Sequence, residues 1–322
     1  MKAIAQDRYG SADVLALQEV DRPAVGDGQV LVRVHAAAVN ALDWHFMRGS
    51  PYLVRPMLGL RRPKVKVRGV DVAGRVEAVG PGVERLSAGD DVFGWCNGAF
   101  AEFVCAGEDH FALKPKDLTF EQAAAVPLAG MTALQGISDS GRVEAGQRVL
   151  IVGASGGVGT FAVQLAKSLG AEVTGVCSTR NLELVRSIGA DHVVDYTRET
   201  ITRSDERYDV IFELAGTDTP GAYRRLLTPT GTLVMSSGDG GRWLGPLGRM
   251  LKAKVSAPFV SQTMGFLSAV ENHDDLMVLK AMLDAGTIRP IIDRTYAFRD
   301  ATDAIRYVDA GHTQGKTVIT MA

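Results

Sequence analysis

Residues 149–159 read Val149-Leu150-Ile151-Val152-Gly153-Ala154-Ser155-Gly156-Gly157-Val158-Gly159, an apolar run that breaks into a glycine-rich turn. Glycines let a backbone approach a pyrophosphate closely, and the amides that open a following helix meet its charge without a cationic side chain. The flanks support that use. Val158, Phe161, Ala162, Leu165, Ala166 and Leu169 recur at helical spacing, and residues 171–176 read as a second buried strand. Gly153, Ala154, Ser155, Gly156, Gly157, Val158 and Gly159 are therefore candidate dinucleotide-binding residues. After the second strand comes Cys177-Ser178-Thr179-Arg180-Asn181. An acidic residue there would accept hydrogen bonds from both ribose hydroxyls of NAD but repel a 2′-phosphate. Ser178, Thr179 and Arg180 offer hydroxyls and a guanidinium instead, with Tyr196 completing the pocket, so the expected cofactor is NADPH.

Such a turn needs a sheet to hold it. From about residue 125 to 265, strand patterns at 148–153, 172–177, 192–194, 208–212, 231–236 and 255–261 alternate with helical ones. Six strands spaced by helices predict a doubly wound parallel sheet, whose ligands sit beyond the carboxyl ends of the strands where their order reverses. Ala215-Gly216-Thr217 and Ser236-Ser237-Gly238-Asp239-Gly240-Gly241 follow two of those strands. Ala215, Ser237 and Gly238 thus join the candidates, although turn chemistry alone would account for either stretch. The first ~120 residues differ, with short alternating runs such as Val30-Leu31-Val32-Arg33-Val34 set between Gly, Pro and Asp turns. They predict a partly open β-barrel, to which residues 288–322 return with the strand-like Lys316-Thr317-Val318-Ile319-Thr320. The expected organisation is α/β: a barrel domain of residues 1–124 and 266–322, with a nucleotide domain of residues 125–265 inserted between its halves.

Composition narrows the function classes. The formal charge is −2 over 322 residues, which gives no global attraction to nucleic acid or an anionic membrane. No segment has the uncharged length of a membrane span, and residues 1–8 lack the apolar core of a signal peptide, so a cytoplasmic protein is expected. Cys96, Cys105 and Cys177 have no close metal-ligand spacing and read as three reduced, mostly buried thiols. Arg55, Arg61, Arg62, Lys64, Lys66 and Arg68 form a basic loop without an aromatic stacking pattern, read as a solvated surface or a substrate-side lid.

Along nearly its whole length the chain resembles the medium-chain dehydrogenase/reductases, in particular their zinc-independent quinone oxidoreductase branch. The resemblance is carried by Ala38-Val39-Asn40-Ala41-Leu42-Asp43, Gly69-Val70-Asp71-Val72-Ala73-Gly74-Arg75-Val76, Gly98-Ala99-Phe100-Ala101-Glu102-Phe103 and Pro127-Leu128-Ala129-Gly130-Met131-Thr132-Ala133. The glycine turn, Gly189-Ala190-Asp191-His192-Val193-Val194-Asp195-Tyr196 and the closing Gly315-Lys316 continue it. It implies a GroES-like barrel built from both chain ends, a Rossmann domain between them, and a cofactor cleft to which Lys316 contributes. Zinc-binding relatives hold metal with a Cys, a His beside an acid, and a second Cys or acid. Asn40, Val70 followed by Asp71, and roughly Leu128 stand at those positions, so no metal is expected.

Without a metal to polarise an alcohol oxygen, the favoured acceptors delocalise charge: quinones and α,β-unsaturated carbonyls take hydride at carbon and spread the negative charge onto oxygen. Asn40, Asp43, Trp44, His45, Tyr52 and Thr132 are candidates to line the cleft. Asn40 and Thr132 match family positions facing the nicotinamide or substrate, and an amide or hydroxyl can donate to a developing oxyanion. His45 stands where the family often has tyrosine and could relay a proton. The expectation is an NADPH-dependent reductase of a small planar carbonyl or quinone, a homodimer joined through the strand at 255–261. The alternatives are a zinc-independent alcohol or carbonyl reductase, and a non-catalytic NADPH-binding structural or redox-sensor protein.

Overall fold

The computed structural model describes residues 1–216, 218–236, 261–311 and 313–321. The chain divides into two compact units, one of Met1–Met131 with Glu271–Ala322 and the other of Thr132–Val270. The first begins with β1 (Lys2–Ala5), β2 (Ala16–Glu19), β3 (Gln29–Val39), β4 (Asp71–Val79), β5 (Asp91–Trp95), β6 (Phe103–Gly107) and β7 (Phe111–Leu113). The second holds β8 (Arg148–Val152), β9 (Glu172–Cys177), β10 (His192–Asp195), β11 (Tyr208–Glu213), β12 (Leu227–Met235) and β13 (Thr263–Phe266). The first unit then resumes with β14 (Ile292–Ala297) and β15 (Lys316–Thr320).

In the first unit the strand order is β14-β15-β3-β4-β5-β7, with β6 also on β3 and β1–β2 as a separate antiparallel pair. The hub is β3. Its first half lies between β4 and β6, and its end lies between β4 and β15. Val30, Val32 and Val34 alternate into a core shared with Ile4, Phe100, Phe111 and Ile305, while on the other face Arg33 is exposed, His35 half-buried and Leu31 buried. At Ala36-Ala37-Ala38 the alternation stops, and all three are fully buried, because alanine fits where both faces of the strand are covered.

The second unit is a six-stranded parallel sheet of order β10-β9-β8-β11-β12-β13. This is the doubly wound sheet that the alternating pattern predicts. Its order reverses between β8 and β11, so the turns after those two strands share the switch point where such sheets bind ligands. The sixth strand of the sheet is Thr263–Phe266, a four-residue segment whose shortness and Gly265 weaken its strand signal. Residues 255–260, where the sequence pattern puts the last strand, lie outside the described residues, and Ser261 sits in a bend.

The helix Gly157–Ser168 departs from its predicted one-sided stripe. Thr160, Val163 and Gln164 are buried along with Phe161, Ala162, Leu165 and Ala166, while Leu169 lies beyond the helix end at 40% exposure. Its polar members turn their hydrogen bonds back onto the helix, Thr160 Oγ1 to the Gly157 carbonyl at 3.1 Å and Gln164 Nε2 to the Thr160 carbonyl at 2.9 Å. Local satisfaction is what lets them be buried. All three cysteines are free thiols, Cys96 and Cys177 buried, and burial pushes the Cys177 thiol up to about 11.

Candidate functional site

The glycine turn is shaped by backbone contacts that no side chain would allow. Gly153 sits at φ +89°, and a Cβ there would come within 2.9 Å of the Ala215 Cβ, so the turns after β8 and β11 close on each other. At Gly159 a Cβ would lie 2.1 Å from the Gly153 carbonyl oxygen, and only glycine lets the first helical turn pass that close to the strand. No side chain caps the helix at Gly156. Its first amides are therefore not engaged by a capping residue, as an anion at a helix N-terminus requires. The cradle fits the pyrophosphate of a dinucleotide. Ser155 is buried and ties the turn to the next loop, its Oγ accepting from Asn181 Nδ2 at 2.8 Å.

The loop after β9 is held from below by Asp195, the last residue of β10. Its carboxylate accepts from Thr179 Oγ1 at 2.5 Å and from the Thr197 N–H and hydroxyl at 2.9 and 2.7 Å. The Thr179 hydroxyl holds the Asp195 carboxyl below the usual carboxylate range. A hydroxyl has one proton, and Thr179 has donated it inward. Of the predicted phosphate residues, that leaves half-buried Ser178 and exposed Arg180 and Tyr196 on the outer side of the loop. Asp195, Thr197 and Asn181 organise this pocket but were not singled out from the sequence. The Asp195-Tyr196 pair at the end of a strand was the available signal. Thr217, Ser237 and Gly238 lie outside the described residues.

In the first unit, a buried polar cluster forms where three strands end. Ala38 pairs with Asp71 across β3 and β4, and Val39 pairs with Thr317 across β3 and β15. Those registers bring Asn40, Asp71 and Lys316 together. Asp71 is fully buried; its Oδ1 accepts the Leu128 N–H at 2.8 Å, and its Oδ2 accepts Asn40 Nδ2 at 3.0 Å and Lys316 Nζ at 3.1 Å. Lys316, 3% exposed, also donates to Asn40 Oδ1. The Asn40 amide is thus engaged at both ends, and Lys316 sits inside the first unit as the counter-ion of Asp71, whatever further contact with cofactor the family resemblance implies. The positions that hold zinc in metal-binding relatives converge here around an ammonium. A carboxamide, and a carboxylate already paired with an ammonium, do not fit a tetrahedral zinc site, where thiolates and imidazoles supply most of the ligands.

Asp43 completes the cluster from the first turn of the helix Ala41–Arg48. Its Oδ2 accepts the Asn40 backbone N–H at 2.8 Å, the reciprocal half of a capping box. Burial pushes its carboxyl up to about 7, against the pull of the Asn40 and Gly69 amides, and the Asp71 charge adds to the rise. On the same helix the His45 ring stacks on Trp44 at 3.7 Å. Tyr52 lies in the following turn with the Arg55 guanidinium 4.2 Å above its ring. Thr132, 9% exposed, begins the second unit. The structure therefore gathers Asn40, Asp43, Asp71 and Lys316 into one network and the nucleotide turn into another, with His45 on the helix Ala41–Arg48 and Tyr52 in the turn that follows it.

Two family models match the chain, an alcohol dehydrogenase GroES-like domain over residues 26–117 and a zinc-binding dehydrogenase over residues 188–319. The 2-methylene-furan-3-one reductase of Solanum lycopersicum is 32% identical over 99% of this chain and 79% of its own length. The chain belongs to the medium-chain dehydrogenase/reductases, in their quinone oxidoreductase branch. The chloroplastic NADPH-dependent alkenal/one oxidoreductase of Arabidopsis thaliana is 33% identical over the same shares. The quinone oxidoreductase of Coxiella burnetii superposes with a TM-score of 0.88 at 29% identity, covering 100% of this chain and 99% of its own. The first unit is accordingly a GroES-like domain and the second a Rossmann domain.

Proposed function

We propose that this protein is a metal-independent, NADPH-dependent reductase that delivers hydride to a carbon of a quinone or an α,β-unsaturated carbonyl. The relatives support the class, being named for enone, alkenal and quinone reduction. The observation that carries the reading is the state of Asp71: its oxygens accept from Lys316, Asn40 and the Leu128 amide, which supports a reaction that does not draw on a metal held by this carboxylate. An acceptor that spreads charge onto oxygen needs only hydrogen-bond donors.

NADPH, when bound, supplies the hydride. The protein's part is to hold the pyrophosphate on the Gly153–Gly159 turn, to hold the 2′-phosphate with Ser178, Arg180 and Tyr196, and to meet the developing oxyanion. The Asn40 amide and the Thr132 hydroxyl are the donors to test, with His45 and Tyr52 as candidates to deliver the proton. Thr132→Val should lower turnover while NADPH affinity holds.

NADPH oxidation should be followed against quinones, enones and saturated aldehydes, with and without a chelator. Turnover of the first two that survives chelation is expected. Activity confined to saturated aldehydes would favour a carbonyl reductase, and binding without turnover of any acceptor would favour a sensor or structural role. Cytosolic residence and a homodimer belong to the same reading. Among the described residues β13 closes one end of the sheet, and a two-fold mate there would satisfy its open backbone groups. A monomeric mass by light scattering at micromolar concentration would remove the dimer.

A further inference from the structure

Charge is unevenly distributed along this chain. From Trp44 to Val70 there are seven lysines and arginines and no aspartate or glutamate, so the rest of the chain carries a net charge of −9. Three of those cations are committed within the fold: Arg48 pairs with Asp309, Lys66 pairs with Asp7 at 2.7 Å, and Arg68 is buried with its guanidinium on the Val65 carbonyl. Arg61, Arg62 and Lys64 are exposed and form no ion pair among the described residues.

The same segment presents apolar side chains to solvent. Met57 and Leu60, at 79% and 68% exposure, are the most exposed large apolar residues among those described, with Leu53 and Val65 also exposed. This is not a loose loop whose side chains fall outward by default. Arg55 lies over the Tyr52 ring at 4.2 Å and the Tyr9 ring at 4.7 Å and donates to the Gly49 carbonyl at 3.0 Å. The Tyr9 hydroxyl donates to the Gly59 carbonyl at 2.7 Å, and Pro63 is buried. The base is anchored, and the tip projects apolar side chains among cations.

We propose that this tip docks the protein on an anionic lipid bilayer. Met57 and Leu60 insert among the headgroups while Arg61, Arg62 and Lys64 meet the lipid phosphates and carboxylates. Charge complementarity selects the occupant, since unpaired cations flank the apolar pair and each favours an anionic surface at close range. Exposure near 70–80% marks a protrusion, which suits insertion into an interface, whereas a peptide partner calls for a groove. A nucleic acid would use the cations but has no use for Met57 and Leu60, and the one aromatic ring of the loop, Tyr52, is covered by Arg55. The proposal stands apart from the reductase reading, because its readout is binding and not turnover.

The test is sedimentation of the full-length protein with vesicles of phosphatidylcholine alone or with 30% phosphatidylserine. Binding is expected only to the anionic vesicles, falling roughly tenfold or more as ionic strength rises from ~0.1 to ~0.5 M. Arg61→Glu with Arg62→Glu should abolish it, and Met57→Ser with Leu60→Ser should weaken it about tenfold, while circular dichroism and turnover of a water-soluble quinone stay as in the unmodified protein. No binding to anionic vesicles, or equal binding to both kinds, would overturn the proposal. So would a serine variant that binds vesicles as well as the parent, the outcome expected of a purely polyanion-binding patch.

Discussion

The two candidate sites are both built around charge, yet they are made in opposite ways. The nucleotide turn is a single stretch of chain whose function lies in what it lacks: no Cβ at Gly153 or Gly159, no capping side chain at the helix start. The Asn40–Asp71–Lys316 cluster is made of side chains from three strand ends, two of them 31 residues apart and the third 245 residues further on, and every polar atom described in it is engaged. One site keeps backbone groups available for an anion that arrives. The other closes its charges on each other before any ligand is present. Removing a member should therefore have different consequences, a loss of binding in the first and a loss of stability in the second.

The largest effect is expected at Lys316. Lys316→Met leaves the Asp71 carboxylate buried without its cation, which costs about 3–5 kcal/mol of stability in denaturant unfolding, and adding Asp71→Asn should recover much of it. A stable Lys316→Met protein with weakened NADPH binding would instead make Lys316 a cofactor ligand and erase the contrast. Gly159→Ala comes next. The added carbon would meet the Gly153 carbonyl, so a loss of about 1–3 kcal/mol from overpacking, together with collapse of NADPH affinity in a fluorescence titration, is expected. Unchanged affinity would mean that the cradle does not hold the cofactor.

Arg180→Ala sharpens the comparison inside the nucleotide pocket, because it deletes a charge without touching the glycines. Hydrogen bonds to a charged group contribute about 1.5–3 kcal/mol, so NADPH should bind roughly ten- to a hundredfold more weakly while NADH is unaffected. Equal loss for both cofactors would place Arg180 elsewhere than on the 2′-phosphate.

The smallest effect belongs to Asp43 and is read from pH. Its carboxyl lies at about 7 in the folded protein against 3.8 as the ordinary value. Between those values the folded state binds more protons than the unfolded one, so stability falls as pH rises from about 4 toward 7 and levels off above. From pH 5.5 to 6.5 the loss should be on the order of 1 kcal/mol. Asp43→Asn should remove that slope; a slope that persists in the variant would assign it to another group.

The amino-acid sequence by itself determined the parallel sheet, the first five of its strands and the turn at Gly153–Gly159, because strand runs, helical spacing and glycine are local signals read within a few residues of one another. It also determined the absence of an acid after β9. It did not show that Thr179 turns its hydroxyl to Asp195, that the helix Gly157–Ser168 is buried nearly all round, or that the sixth strand is Thr263–Phe266, since each of these is set by neighbours distant in the chain. The clearest case is Lys316. In the sequence it is a lysine after a glycine near the end of the chain, expected at the cofactor by family resemblance. Tertiary structure decided its place, because only the registers of β3 with β4 and with β15 put Asn40, Asp71 and Lys316 within hydrogen-bonding distance. A buried ammonium is stable only where a carboxylate waits for it, and no pattern along one strand reveals what the next strand will bring.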